Sequence, residues 1–228
     1  KDPMQVELFL SIGTSSAPIV FTAADQNPGA WGGISIAGKA TCNTGEDQEA
    51  EISGLFYGGK EDDDNSGTLK YVRVEYSGAQ INDDKQFNGF SFYGVGRGTT
   101  IEYIQSYKGQ DDGIEFFGGT VNVSYVSSIG SGDDSFDFAE GWVGNAEYIY
   151  IEHLAGLVQD KGIEGDNLSS NNLATPFSNP TISKVTIKSD TTIMNADGEK
   201  VDAIRIREGA KGAFSNILIQ DLGDEGTE

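Results

Sequence analysis

Residues 101–105 read IEYIQ, and the same phrase returns as VSYVS at 123–127 and as AEYIY at 146–150. An earlier copy, LKYVR, lies at 69–73, and two looser copies begin at Ile182 and Phe214. The spacing from residue 104 to residue 126 is 22 (126 − 104), and from residue 126 to residue 149 it is 23 (149 − 126). A constant period in the low twenties predicts a solenoid, because one repeat cannot bury its apolar face alone and stacked repeats can.

A second short phrase lies inside each period. Residues 89–92 read GFSF, 113–116 read GIEF and 135–138 read SFDF, and related phrases lie at 33–36, 162–164 and 203–206. Alternating apolar and polar residues are typical of a strand with one buried face. No phrase has helical periodicity, so the sequence predicts an all-β chain. Strands of successive coils should pair in parallel, which defines a parallel β-helix.

Composition limits the possible partners. The chain has 228 residues, enough for about eight coils, and carries 15 Lys and Arg against 36 Asp and Glu, a net charge of −21. Because no basic stripe is present, nucleic acid and anionic membrane surfaces would be repelled. No apolar run approaches the length of a membrane span, so this segment should not insert into a membrane. Cys42 is the only cysteine, which excludes an intrachain disulfide.

The chain is predicted to divide into three parts. Residues 1–4 read as a cloning scar, residues 5–222 as the β-helix, and residues 223–228 as a tail. Insertions are expected at 39–66, 78–88, 166–180 and 189–201, where long loops on a rigid scaffold usually carry binding. Because solenoids need polar caps at their ends, the chain is expected to be a fragment of a larger protein.

Several longer strings carry a family resemblance. They are APIVFT at 17–22, WGGI at 31–34, SGTLKYVRVEY at 66–76, DDGIEFFGGT at 111–120 and GDDSFD at 132–137. Together they resemble large secreted or surface-anchored hypothetical lipoproteins that are common in Bacteroidota. The resemblance implies a right-handed parallel β-helix, a single-stranded solenoid, in a protein anchored to the outer membrane through parts not in this chain. It implies no catalytic residues.

Acidic residues recur in register with the second phrase. Pairs at 111–112 and 133–134 precede it, and Asp160 precedes the next copy. Within the strands Glu115, Asp137 and Glu164 alternate with apolar residues, so they should point outward, one above another. Like charges about 5 Å apart repel by several kcal/mol at an effective dielectric constant of ~20.

Three arrangements would relieve this repulsion: raised pKa values, splaying into water, or a hard cation such as Ca²⁺ held by carboxylate oxygens. The predicted metal ligands are Asp111, Asp133, Asp137 and Asp160, and Glu115, Asp137 and Glu164 are predicted to bind a ligand. Ca²⁺ is the one candidate cofactor. A plainer alternative stays open, since Asp before Gly is ordinary turn chemistry.

The first phrase produces a second column, Tyr71, Tyr103, Tyr125 and Tyr148, continued by Lys184 and Asn216. Stacking of these rings at a corner of the coil would contribute roughly 0.5–1.5 kcal/mol per pair and is sufficient to explain the column. Exposed tyrosine rings also hold the faces of sugars, so the four tyrosines form a second predicted ligand-binding set.

An enzymatic alternative rests on a partial resemblance to polygalacturonases. Residues 132–135 (GDDS) resemble their Asp-Asp element and 205–207 (RIR) their Arg-Ile-Lys element. The resemblance implies catalytic roles for Asp133, Asp134 and Arg205 in a hydrolase, and the enzymatic alternative is centred on Asp111, Asp112, Asp133 and Asp134. A calcium-dependent polysaccharide lyase, with Arg205 or Arg207 as base, is its second form. The chain lacks the Asn-Thr-Asp and Gly-His-Gly elements of that family.

The sequence therefore favours a non-catalytic, adhesive β-solenoid module of a secreted or cell-surface bacterial protein. Its predicted partner is a glycan or a surface protein of a host or neighbouring cell. The alternative is the carbohydrate-active enzyme.

Overall fold

The computed structural model describes residues 8–82 and 85–222. The predicted scar at 1–4 and tail at 223–228 lie outside the described residues. Within the described part the chain is all-β, and no helix there is long and apolar enough to cross a membrane. The strands are β1 (Phe9–Ile12), β2 (Ile19–Phe21), β3 (Ile34–Ala37), β4 (Gln48–Glu49), β5 (Phe56–Tyr57), β6 (Gly67–Glu75), β7 (Phe90–Tyr93), β8 (Thr100–Tyr107), β9 (Ile114–Phe117), β10 (Val123–Ile129), β11 (Phe136–Ala139), β12 (Asn145–Glu152), β13 (Ile163–Gly165), β14 (Thr181–Lys188), β15 (Ile204–Ile206) and β16 (Ala213–Gln220).

Two parallel sheets wind around one core. The eight-stranded sheet runs β1-β6-β8-β10-β12-β14-β16, with β2 also paired to β6, and the six-stranded sheet runs β15-β13-β11-β9-β7-β3. From β6 onward the chain alternates between the two sheets, so each inner strand pairs in parallel with its equivalents one coil before and one coil after. The fold is the predicted right-handed parallel β-helix.

The core is filled by the apolar positions of both repeated phrases. Ile104 pairs in register with Val126, and Val126 with Ile149, and all three side chains are buried. On the other sheet Phe116 stacks on Trp142 at a ring-centroid distance of 4.2 Å. Large apolar side chains repeat in every coil, so the interior is one continuous cluster.

Each long strand of the eight-stranded sheet bends at one residue in the left-handed region. These residues are Tyr71, Tyr103, Tyr125, Tyr148, Lys184 and Asn216, with φ between 54° and 59°. The bend divides each strand into two segments and gives the coil a third side. A non-glycine residue in this conformation costs roughly 1–2 kcal/mol, so something in the column must offset that cost.

Residues 39–66 connect β3 to β6 and pack against the coil. They contain the antiparallel hairpin β4–β5, and Tyr57 and Cys42 form a small second core with Tyr93 and Phe117. The Tyr57 hydroxyl donates a hydrogen bond to Glu140 Oε2. This connection is therefore held over one edge of the six-stranded sheet.

Candidate functional site

The acidic face is the outer side of the six-stranded sheet together with the turns that precede its strands. It consists of Asp111, Asp112, Glu115, Asp133, Asp134, Asp137, Asp160 and Glu164. The strand carboxylates lie in the predicted column, because Asp137 is the registered partner of both Glu115 and Glu164. The sequence thus correctly predicts which acidic residues are neighbours.

Burial of this column is what the sequence does not predict. Glu115, Asp137 and Glu164 point away from the core, yet only 8% of Asp137 and 5% of Glu164 is exposed. Asn88, in the turn before β7, donates from Nδ2 to Glu115 Oε2 and partly covers it. Asp112 and Asp134 are buried as well, whereas Asp111, Glu115 and Asp160 are half-buried and Asp133 is exposed, so the acidic face is only partly covered.

Two aspartates of the turns tie one coil to the next. Asp112 Oδ1 accepts a hydrogen bond from the backbone N–H of Asp134 (2.9 Å), and Asp134 Oδ1 accepts one from the backbone N–H of Lys161 (2.7 Å). Hydrogen bonding of turn aspartates to backbone amides is the alternative that the sequence left open. Here the amides belong to the following coil and not to the same turn. These two oxygens have a structural role.

Two cations neutralise one end of the face. Lys161 Nζ forms an ion pair with Asp160 and lies 3.3 Å from Glu164 Oε1. Arg207 Nη2 lies 2.6 Å from Glu164 Oε2, and its Nε lies 2.9 Å from Asp166 Oδ1. The sequence offers Arg207 only as an alternative base of a lyase, not as a partner of Glu164, and it does not assign Asp166 to this face. The pairing of Arg207 could have been inferred, since residues 205 and 207 alternate with Ile206 and so point to the same side of the strand.

The other end has no such compensation. Within the described part of the chain, no lysine or arginine forms an ion pair with Asp111, Asp112, Glu115 or Asp137, whereas the charges of Lys161 and Arg207 act to lower the pKa of Asp133. The repulsion expected from the sequence is therefore concentrated there.

Burial and mutual repulsion raise the pKa values of these carboxyls. Burial first, and then the charge of Asp133, raise the pKa of Asp111 to about 7. Burial and Glu164 raise the pKa of Asp137 to about 7. The pKa values of Asp112 and Glu115 lie well above the ordinary range for the same two reasons. In the absence of a cation, part of the face should hold protons near neutral pH.

A residue from a connection adds to this charge. Glu51, in the hairpin connection, acts electrostatically on both Asp111 and Glu115 and raises their pKa values further. Its own ion pair is with Lys85, at 3.5 Å. The connections 39–66 and 78–88 thus meet beside the acidic face.

Asp137 lies at the centre of the face. Its Oδ1 is buried and has no hydrogen-bond partner among the residues that the structure describes. Oxygens of Asp112, Glu115 and Asp137 lie within 4.8 Å of one another, and so do oxygens of Asp134, Asp137 and Glu164. Several converging carboxylate oxygens form the donor set that Ca²⁺ prefers.

The four predicted metal ligands do not converge on one point. Asp111 shares a group with Asp133, Asp133 shares another with Asp160, and Asp137 belongs to the two groups described above. Residues 111, 133 and 160 lie in the turns and residue 137 lies in the strand, while Asp112 and Asp134 of the turns share groups with the strand carboxylates. Metal binding by the four residues stays a prediction.

Of the residues of the enzymatic alternative, Asp111, Asp112 and Asp133 offer oxygens within 4.8 Å of one another, whereas Arg205 is distant from them. Arg205 lies on β15, three coils from the turn of Asp111 and Asp112, which is about 14 Å at ~4.8 Å per coil. Its nearest described ion pair is with Asp202, at 3.9 Å. Asp112 and Asp134 already accept backbone hydrogen bonds.

The tyrosine column is stacked face to face. The ring centroids of Tyr71 and Tyr103 are 4.4 Å apart, those of Tyr103 and Tyr125 4.3 Å, and those of Tyr125 and Tyr148 4.7 Å. Lys184 Nζ lies 4.1 Å from the centroid of Tyr148 and covers the outer face of that ring. Neighbouring rings therefore occupy most of the faces that a sugar would need, and mainly ring edges reach the solvent. This geometry favours the stacking explanation, and sugar binding by the column stays a prediction.

The fold and its acidic face define a parallel β-helix protein with a buried carboxylate cluster on one sheet. A family model described as a pectate-lyase-like beta helix domain matches residues 7–227, and the chain belongs to this family. No curated protein and no solved structure matches the chain.

Proposed function

We propose that this chain is a non-catalytic, carbohydrate-associated module of a secreted or surface-anchored bacterial protein, and that its acidic face binds Ca²⁺. The family description supports the association with carbohydrate. The observation that carries the cation is the buried, unpartnered Oδ1 of Asp137 among converging carboxylates.

A divalent cation would offset the repulsion among the carboxylates at the end of the face that lacks ion pairs. Asp112, Glu115 and Asp137 offer three oxygens in one place, and hard oxygen ligands suit Ca²⁺. With the ion bound, all three carboxylates could stay ionised despite their burial, because the opposite charge lies within contact distance. The ion would supply fixed positive charge that joins two coils of the six-stranded sheet.

The arrangement of the acidic residues favours binding over catalysis. A hydrolase needs two carboxyl groups that can reach a substrate, with one free to exchange a proton. Of the residues of the enzymatic alternative, Asp112 and Asp134 are buried and accept backbone hydrogen bonds, Arg205 is distant from the first acidic pair, and only Asp111 and Asp133 remain as more accessible carboxyls. The net charge of −21 also opposes an acidic polysaccharide.

Calorimetric titration of CaCl₂ into chelator-treated protein tests the cation. We expect one saturable binding event that Asp137→Asn abolishes and that Asp197→Asn, at an exposed carboxylate of the connection 189–201, leaves unchanged. Absence of binding heat, together with an unchanged melting temperature in calcium, would contradict the proposal.

The enzymatic alternative is tested by incubation with polygalacturonate and a panel of neutral polysaccharides, with and without Ca²⁺. Hydrolysis would release new reducing ends, and a lyase would release unsaturated products. Either result, lost in Asp133→Asn, would replace the non-catalytic proposal with the enzyme.

A further inference from the structure

We propose that a groove on the eight-stranded sheet binds a linear, neutral glycan whose chain runs parallel to the coil axis. This inference rests on the proposed association with carbohydrate and assigns the glycan to a surface separate from the acidic face. The polar groove has a volume of about 480 Å³ and is lined by residues 97, 99–102, 122–124, 145–147, 181 and 183.

The groove crosses four successive coils on the segments that precede the left-handed bends. One column of exposed side chains consists of Thr100, Asn122, Asn145 and Thr181, and a second, half-buried column consists of Glu102, Ser124, Glu147 and Ser183. The strand register places the members of the second column beside one another and Asn145 beside Thr181, and hydrogen bonds join Asn145 to Asn122, which directly precedes β10. The same kind of side chain is therefore presented once per coil along a straight line.

Hydroxyl and amide groups dominate this surface, and they suit the hydroxyls of a sugar. Asn145 donates to Asn122 Oδ1 both from Nδ2 (2.8 Å) and from its backbone N–H (2.9 Å). The amide of Asn122 is thereby fixed before any ligand arrives. Preorganised polar groups lose less conformational entropy on binding than mobile ones.

The charges of the groove are already compensated, in contrast to the acidic face. Glu102 lies 2.8 Å from Lys70 Nζ, and Glu147 lies 2.5 Å from Lys184 Nζ. At the end of the groove Arg97 is paired with acidic residues of the connection 39–66. Because no unpaired cation dominates the groove and the whole chain is strongly acidic, a neutral polymer fits better than a polyuronate.

The repeat of the coil matches the repeat of such a polymer. Successive coils are spaced by about 4.8 Å, which is similar to the length of one pyranose unit in an extended chain. Each sugar would meet an equivalent set of side chains, so individual contacts can be weak while the whole chain binds measurably. Affinity should therefore rise with the number of linked sugars until the four coils are filled.

The test uses calorimetry with cellohexaose, xylohexaose and mannohexaose and with the corresponding disaccharides. We expect one hexasaccharide to bind more tightly than its disaccharide. Ser183→Arg should weaken binding by about tenfold or more, because the new side chain fills the groove. Thr186→Arg is the matched control, since residue 186 lies on the same strand, also faces outward, but lies beyond the bend at Lys184.

Each outcome is decisive. Failure of all three hexasaccharides to bind, or equal binding by Ser183→Arg and the wild type, would contradict glycan binding in the groove. Binding that survives Ser183→Arg but is lost in Asp137→Asn or in chelator would place the glycan on the acidic face. That last result would refute this inference and leave the proposed function standing, whereas products of cleavage would refute the proposed function itself.

Discussion

Tyr125 combines an unfavourable backbone with favourable packing. Its φ is 57°, and its ring stacks between Tyr103 and Tyr148. Tyr125→Ala removes two stacked contacts and keeps a side chain in the left-handed region, so we expect the free energy of unfolding to fall by about 1–3 kcal/mol. Tyr125→Gly removes the same contacts but also relieves the backbone cost, so it should destabilise less. Denaturant midpoints measure both variants. A glycine variant less stable than the alanine variant would contradict this account of the bend.

Asp137 is the residue at which burial and charge conflict most clearly. In calcium-free buffer at pH 8, Asp137→Asn removes a buried charge that has no cation beside it, and we expect stability to rise by about 1–3 kcal/mol. In calcium the same variant should lose the stabilisation that the ion gives to the wild type. Thermal melts with chelator and with CaCl₂ measure both effects, and the exposed variant Asp197→Asn is the control. A loss of stability in both buffers would contradict the conflict between burial and charge at Asp137.

At the scale of the six-stranded sheet and its turns, the raised pKa values make stability depend on pH. In the folded protein Asp111 and Asp137 have pKa values of about 7, against 3.8 in the unfolded chain. Between those values the folded state binds more protons than the unfolded state, so stability falls as the pH rises. We expect the melting temperature in chelator to fall between pH 4.5 and pH 8. A smaller fall is expected in CaCl₂, because the ion replaces the protons. Equal slopes in the two buffers would argue against a cation at this face.

The sequence predicts the strands and their register better than it predicts which loops cover them. Apolar residues such as Ile104, Val126 and Ile149 recur once per coil and alternate with polar residues. This repetition is sufficient to predict the parallel register, and the register predicts the column of strand carboxylates. Glu51 and Lys85 lie in connections that occur once, and no periodicity indicates where a single loop packs. The burial of Asp137 could therefore not be foreseen. The left-handed bend at the tyrosines was also missed, since tyrosine is not a residue that ordinarily signals positive φ.

The whole molecule has two faces with different electrostatics on one scaffold. The six-stranded sheet gathers buried carboxylates of which only one end is compensated. The eight-stranded sheet presents hydroxyls, amides and paired charges. Because each coil contacts only its neighbours, a cation bound at one face stabilises the coils that it joins and affects distant coils only through the stack.

Because each coil contacts only its neighbours, we expect backbone amides in different coils to differ in their protection from hydrogen exchange. Strands β8 to β12 are paired on both sides, whereas β1 and β16 each form an end of the eight-stranded sheet as described. Terminal coils should open at lower free energy than central ones. Hydrogen exchange followed by mass spectrometry should therefore show fast exchange in peptides of β1 and β16 and slow exchange in peptides of β8, β10 and β12.

Calcium should slow exchange further in peptides covering 108–117 and 130–139, because these hold the ligands, and should leave β16 unchanged. Asp137→Asn, measured in the same calcium buffer, should exchange like the calcium-free wild type. Uniform slowing of every coil by calcium would instead indicate one cooperative unit, and the description of the molecule as a stack of locally coupled coils would fail.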